Sequence, residues 1–228
     1  MRIGIIGSGN IGGALTRRFR AVGHEVSVAN SRGPASLADL AHETGALAAS
    51  VEDAARGKDV VVVAVPLNRI GDLPPGLLTD APVVIDTSNY YPQQRDGRLS
   101  DIEAGVPESQ WVERHLGRPV VKVFNSIVAP HLLESGMPAG TAGRIALAVA
   151  GDDSGAKATV MRLVGEIGFD AVDAGTIEES WRQQPGSPGY LKDYDVQGVR
   201  QALAEARRDR APEWRATPNS PGTFASPA

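Results

Sequence analysis

Three glycines, Gly7, Gly9 and Gly12, occur in the spacing Gly-x-Gly-x-x-Gly between a short apolar segment and a segment of helical periodicity. Before them, Arg2-Ile3-Gly4-Ile5-Ile6 has the near-continuous branched apolar character of a strand buried on both faces. After them, Ile11, Leu15, Phe19 and Val22 recur at helical spacing, and Gly23 stands where a helix ends. His24 to Ala29 read as a second strand, with Val26 and Val28 supplying branched bulk. Strand, tight turn, helix and strand in this order predict a parallel α/β unit, because parallel neighbours require a crossover between them. Each glycine then has a task. Gly7 permits the turn, Gly9 lets a ligand approach the backbone, and Gly12 lets the helix pack closely on the strand. The free N–H groups at the helix start favour an anion, which in this motif is a dinucleotide pyrophosphate. We assign Gly7, Ser8, Gly9, Asn10, Ile11 and Gly12 to that cradle.

The end of the second strand discriminates between dinucleotides. An acidic residue there would accept hydrogen bonds from both ribose hydroxyls and repel a 2′-phosphate. The segment Ala29-Asn30-Ser31-Arg32-Gly33 contains no acid. Arg32 offers a planar fork of donors suited to phosphate, and Ser31 adds a hydroxyl. Asn30, Ser31 and Arg32 therefore point to NADPH in preference to NADH.

Strand-like and helix-like segments continue to alternate. Leu37 to Glu43 read as a helix, Ala46 to Ala49 as a third strand, and Val51 to Arg56 as a short helix. Asp59 to Val65, Pro82 to Asp86 and Val120 to Phe124 read as strands four to six. This pattern predicts a Rossmann-type doubly wound parallel sheet with right-handed crossovers. Ligands on such sheets lie at the carboxyl ends of the strands, which gathers Gly7, Asn30, Val65, Pro66, Leu67, Asn89, Asn125 and Ser126 around one crevice. A second block contains strands at Ile145 to Ala150 and Phe169 to Val172 and, between them, a helix capped by Asp152, Asp153 or Ser154. Helices are expected from Glu178 to Pro185 and from Val196 to Arg210. The expected division is residues 1–142, a dinucleotide-binding domain; 143–210, a small C-terminal α/β extension for the acceptor or for dimerisation; and 211–228, a tail that is mobile or wrapped over a neighbour.

The chain has 228 residues, enough to bury a sizeable core. Its 42% hydrophobic and 22% charged residues suit a globular protein. A net charge of -4 argues against a nucleic-acid partner or a polybasic membrane patch. With no cysteine there is no disulfide, thiol nucleophile or thiolate-bound metal. His131 and Glu134 share a helix face, but no second ligand pair accompanies them, and no metal site is expected. The first strand follows Met1 and Arg2 directly, leaving no room for a signal peptide, and the apolar run Val60 to Leu67 is far shorter than the ~20 residues of a membrane span. The expectation is a cytoplasmic protein.

The run Ile5 to Gly12, the segment Asn30-Ser31-Arg32-Gly33-Pro34 and the segment Val120 to Asn125 resemble the NADP oxidoreductases dependent on the deazaflavin coenzyme F420, and the segments Asn89 to Gly97 and Glu179 to Gly186 look like a bacterial subgroup of them. Ala150-Gly151-Asp152, Ala156-Lys157 and the run Gly168 to Gly175 resemble the family too; the resemblance extends from Met1 to about Tyr190. It implies an enzyme, often a homodimer, that passes hydride between NADP(H) and a deazaflavin or flavin lying over the nicotinamide. Ser36 stands where a basic residue often follows the phosphate-binding arginine in that family. The acceptor is expected against Asn125, Ser126 and the second block. Arg182 is the candidate for stabilising charge on the reduced acceptor, with Trp181 and Tyr190 as pocket walls; a surface arginine and ordinary core aromatics are the competing readings. Lys122 lies inside an apolar strand pattern; contact with a cofactor is one reading, and an outward-facing lysine on a sheet edge is the favoured one. Two other functional classes fit the cradle. One is a dehydrogenase of a small hydroxyacid or imine, which usually carries a longer all-helical second domain. The other is a non-catalytic NADPH sensor.

Overall fold

The computed structural model describes residues 1–228. Six strands form a parallel sheet: β1 (Arg2–Ile6), β2 (Glu25–Ala29), β3 (Leu47–Ala48), β4 (Val60–Val63), β5 (Val83–Asp86) and β6 (Val121–Lys122), in spatial order β3-β2-β1-β4-β5-β6. β1 lies between β2 and β4, with Ile5 opposite Val28 on one side and Val62 on the other. The strand order reverses at β1, so the carboxyl ends of β1 and β4 open onto a crevice. Two more strands, β7 (Ala146–Val149) and β8 (Asp170–Asp173), pair in parallel with each other. They join the large sheet through an antiparallel bridge, in which the Lys122 N–H donates to the Ala150 carbonyl (2.8 Å) and the Ala150 N–H to the Lys122 carbonyl (3.1 Å).

Alternation along the strands divides the apolar side chains between two faces. Ile3, Ile5, Val60, Val62 and Ile85 pack on one side with Leu15 and Phe19 of helix α1 (Asn10–Ala21). That cluster continues into the second block through Leu147, Val149 and residues Val160, Leu163 and Val164 of a later helix (Ser154–Glu166), so the core crosses the boundary near Gly143 without interruption. On the other side Ile6, Val61, Val63 and Val84 pack with Trp111 and Val112 of the helix Glu108–Leu116. The crossover elements that follow α1 are α2 (Ala38–Thr44) and α3 (Val51–Ala55). They are followed by α4 (Ser100–Glu103), α5 (Glu108–Leu116), α6 (Ala129–Glu134), α7 (Ser154–Glu166) and α8 (Val196–Glu205). Asp153 caps α7, its carboxylate accepting from the Ala156 N–H at 2.7 Å.

Several local expectations are revised. Val22, expected on the apolar face of α1, is exposed beyond the helix end, because the chain turns through Gly23 with φ +89°. The segment Glu178–Gln183 is a 3-10 helix, and α8 ends at Glu205, five residues before the expected Arg210. Lys122 does not face outward: it is completely buried and pairs with Asp86 at 3.1 Å, because the bridge to Ala150 makes β6 an internal strand. Residues 211–228 lie along their own chain, with Trp214 and Phe224 stacked edgewise or tilted on the Tyr91 ring and Gln93 Nε2 donating to the Arg215 carbonyl at 2.9 Å. No helix is long and apolar enough to cross a membrane.

Candidate dinucleotide and acceptor site

At the carboxyl ends of β1, β2 and β4 lies a cleft of about 790 Å³. Gly7, Ser8, Gly9, Asn30, Ser31, Arg32, Val65 and Pro66 all line it. The glycine turn that enters α1 is held by close backbone packing. A Cβ on Gly12 would lie 1.8 Å from the Gly7 carbonyl oxygen, and one on Gly7, at φ +108°, would lie 2.2 Å from the Ala64 carbonyl oxygen. A Cβ on Gly9 would meet nothing within 4 Å. The first two glycines are therefore required by the fold, whereas Gly9 keeps open a face of backbone that a side chain would cover. The start of α1 has no side-chain cap and no acid in its first turn, so its N–H groups and the positive end of its dipole remain available to an anion. Asn10 is exposed at that start, Ile11 is half-buried, and Gly12 lies underneath.

The end of β2 is braced from within. Asn30 Nδ2 donates to Ser8 Oγ at 3.0 Å, joining the two loops of the cradle, and Asn30 Oδ1 accepts from the Arg32 N–H at 2.9 Å. Ser36 completes this brace at 3.0 Å from Asn30 and donates to the Gly33 carbonyl at 2.8 Å. Ser36 thus holds the loop that carries Arg32, while the Arg32 guanidinium is exposed and forms no ion pair with an acid. Across the cleft stands Arg69, a residue that the strand-end reading overlooked. It sits three residues beyond Pro66, in the same strand-end loop, and leans on Asp72 at 3.0 Å. The cleft therefore holds an open glycine backbone, a helix N-terminus and two exposed guanidinium groups, a donor set that suits a pyrophosphate and a further phosphate.

The other expected residues are distributed differently. Leu67 is buried and shapes the wall from behind. Asn89, Asn125 and Gln183 form one network. Asn89 Nδ2 donates to the Asn125 carbonyl (2.8 Å), Asn125 Nδ2 to the Gln183 carbonyl (2.7 Å), and Gln183 Nε2 to Asn125 Oδ1 (3.0 Å) and the Ala148 carbonyl (3.2 Å). This network ties the ends of β5 and β6 to β7. Gln183 carried no recognisable signal in the sequence, since its role depends on contacts 58 and 35 residues away. Tyr190 is buried with its hydroxyl bonded to that of Tyr91. Burial raises both phenols above their ordinary range, so both stay protonated. Arg95 lies 5.1 Å from the Tyr91 ring centre and donates to the Asn89 carbonyl at 2.7 Å.

Arg182 does not reach the dinucleotide cleft. It pairs with Glu179 at 3.1 Å and lies 5.4 Å from the Trp181 ring centre. With Ser126 it lines a cavity of only about 20 Å³ beside β7 and α8, and Trp181 faces a different concavity. The 3-10 geometry of Glu178–Gln183 directs its glutamine, not its arginine, toward Asn125.

Comparison with known proteins agrees with this architecture. Residues 2–90 match the family described as NADP oxidoreductase, coenzyme F420-dependent. The hypothetical protein SMa0349 from Sinorhizobium meliloti is 33% identical, with 85% of this chain and 96% of that chain aligned at a TM-score of 0.70. A proposed F420-dependent NADP reductase from Arthrobacter sp. FB24 shares the fold at 23% identity, over 78% of this chain and 86% of that one, with a TM-score of 0.63. The Escherichia coli (strain K12) protein YjhV is 44% identical over 72 residues, which are 32% of this chain and 53% of that relative; the chain thus spans about half the length of the curated relative it matches. Residues 2–90, which hold the glycine cradle and strands β1 to β5, thus match the family described as NADP oxidoreductase, coenzyme F420-dependent.

Proposed function

We propose that the protein is an NADPH-dependent oxidoreductase that transfers hydride between NADP(H) and a planar acceptor, a deazaflavin such as coenzyme F420 or a flavin. The observation that carries this reading is the cleft itself: an uncovered Gly9 backbone at the start of α1, facing an acid-free strand end that presents an unpaired Arg32. The pyrophosphate would lie on the N–H groups of Gly9 to Ile11, and the 2′-phosphate between Arg32 and Arg69. Hydride transfer onto a delocalised ring needs proximity and stacking more than an acid–base side chain. The Asn89, Asn125 and Gln183 side chains are engaged with one another and the Tyr91 and Tyr190 phenols stay protonated, so none of these groups offers a free base, which fits such a transfer. We further propose a homodimer with a small-molecule acceptor and neither a nucleic-acid nor a membrane partner, consistent with the net charge of -4.

The test is oxidation of NADPH, followed by absorbance, with F420, FMN, FAD, ferric chelates and a panel of cyclic imines and hydroxyacids. Saturable turnover with the deazaflavin or a flavin is expected. Turnover only with an imine or a hydroxyacid would replace the acceptor class. Tight NADPH binding without turnover on any of them would replace the enzyme by a sensor.

A further inference from the structure

Apart from the dinucleotide cleft, the molecule has a second concavity of about 610 Å³, bounded by residues 102–107, 184–188 and 205–215. It shares no lining residue with the cleft that holds Gly7 and Arg32. Its volume falls within the roughly 300–1,000 Å³ of small-molecule sites. Four arginines line it: Arg207, Arg208, Arg210 and Arg215.

Arg210 is the anchored one. Its guanidinium lies 5.3 Å from the Tyr90 ring centre, and Nη2 donates to Glu108 at 2.7 Å and to Gln184 Oε1 at 3.2 Å. Its Nη1 is buried and has no partner. Arg215 Nε donates to the Arg210 carbonyl at 3.1 Å, which fixes its guanidinium against the backbone of Arg210. Arg208 comes within 4.0 Å of Glu178, whereas Arg207 and Arg215 pair with no carboxylate. On the facing wall, Gln184 is 8% exposed, and its Nε2 is buried without a partner, as is Ser187 Oγ. Of the acids on the lining, Glu103 is engaged by the Tyr90 hydroxyl (3.1 Å) and the Ala216 N–H (2.9 Å); Glu205 and Asp209 are exposed. A buried donor without an acceptor costs roughly 1–3 kcal/mol. Three such groups beside two unpaired guanidinium forks make a surface complementary to an oxyanion.

We infer that this concavity binds a small phosphate- or carboxylate-bearing molecule, independently of the dinucleotide. Arg207 and Arg215 supply the charge, Arg210 the fixed fork, and Gln184 and Ser187 the neutral donors. Arg210 keeps its contact with Glu108 throughout, so the anion adds to an ion pair already formed and does not replace it.

The experiment is calorimetric titration of inorganic phosphate, and separately of citrate, into the full-length protein saturated with NADP+, which fills the glycine cradle. One binding event is expected from at least one anion. It weakens about tenfold or more in the double variant Arg207→Ala/Arg215→Ala, as loss of one charge-assisted contact would cause. The pair Arg207→Lys/Arg215→Lys retains the charge without the fork and falls between. Circular dichroism and NADP+ affinity should match wild type in both, since neither arginine borders the dinucleotide cleft. The stronger of the two anions names the source. No heat from either anion, or equal affinity in the alanine variant, would overturn the site. NADP+ affinity is measured separately beforehand, so a failure of the dinucleotide reading is recorded as its own result; in that case the alanine variant removes one anion-binding event and leaves the cradle's.

Discussion

At the scale of single residues, the glycine cradle separates fold from ligand binding. Gly12→Val places a Cβ 1.8 Å from a backbone oxygen that cannot retreat, and should lower stability by several kcal/mol, ~3 or more, in chemical denaturation. Gly9→Val meets no neighbour; it should leave the denaturation midpoint nearly unchanged while abolishing NADPH binding by fluorescence titration. Arg32→Ala should raise the NADPH Kd about ten- to a hundredfold and leave that for NADH within about twofold, since a charged contact to phosphate contributes roughly 1.5–3 kcal/mol. Equal losses for both dinucleotides would remove Arg32 from the 2′-phosphate. His24 supplies a pH dependence. Burial, and then the N-terminal ammonium, lower its pKa below the ordinary 6.5, against the opposing pull of Glu166 at 2.9 Å. The unfolded chain therefore binds the proton more readily, and this part of the stability is present at neutral pH and lost as pH falls below about 6.5. Thermal melts from pH 8 to 5 should show a shallower acid-side decline in His24→Gln than in wild type.

At the scale of elements, the buried pair of Lys122 and Asp86 locks β6 to β5. Asp86 also accepts from Ser109 Oγ of α5 at 2.6 Å and from the Ser88 N–H at 2.8 Å, so one carboxylate joins two strands, a helix and the loop leading to Asn89. Lys122→Ala leaves that carboxylate buried without its counter-charge and should cost about 3–5 kcal/mol in urea unfolding. The double variant Lys122→Met/Asp86→Asn should recover part of the loss; a double variant no better than the single would mean that the lysine acts only by filling space. The alternating elements of the first half were readable from periodicity, because each strand is a short branched run ending at a turn residue. The short turn α4 was not, and at Glu178–Gln183 a helix was readable but not its 3-10 form, because so few residues carry no full apolar repeat and their ends depend on tertiary contacts.

For the whole molecule, the proposed homodimer predicts a mass in solution of twice the 23.9 kDa of the chain by light scattering; a monomeric mass would leave the cleft to be closed by the chain's own residues. The C-terminal segment meets the Tyr91–Tyr190 pair through Trp214, whose ring centre lies 6.2 Å from that of Tyr91 and 5.8 Å from that of Tyr190. The sequence alone determined the parallel sheet, the glycine turn and the acid-free strand end, because each is local: a short branched apolar run, a helical repeat and a fixed spacing of small residues all lie within a few turns of chain. Only the tertiary structure decided what long-range packing controls. It buried Lys122 against Asp86, joined Gln183 to Asn125, brought Arg69 opposite Arg32, and turned Arg182 away from the cleft. The orientation of a side chain on a short irregular segment is set by partners dozens of residues distant, and no local pattern records them.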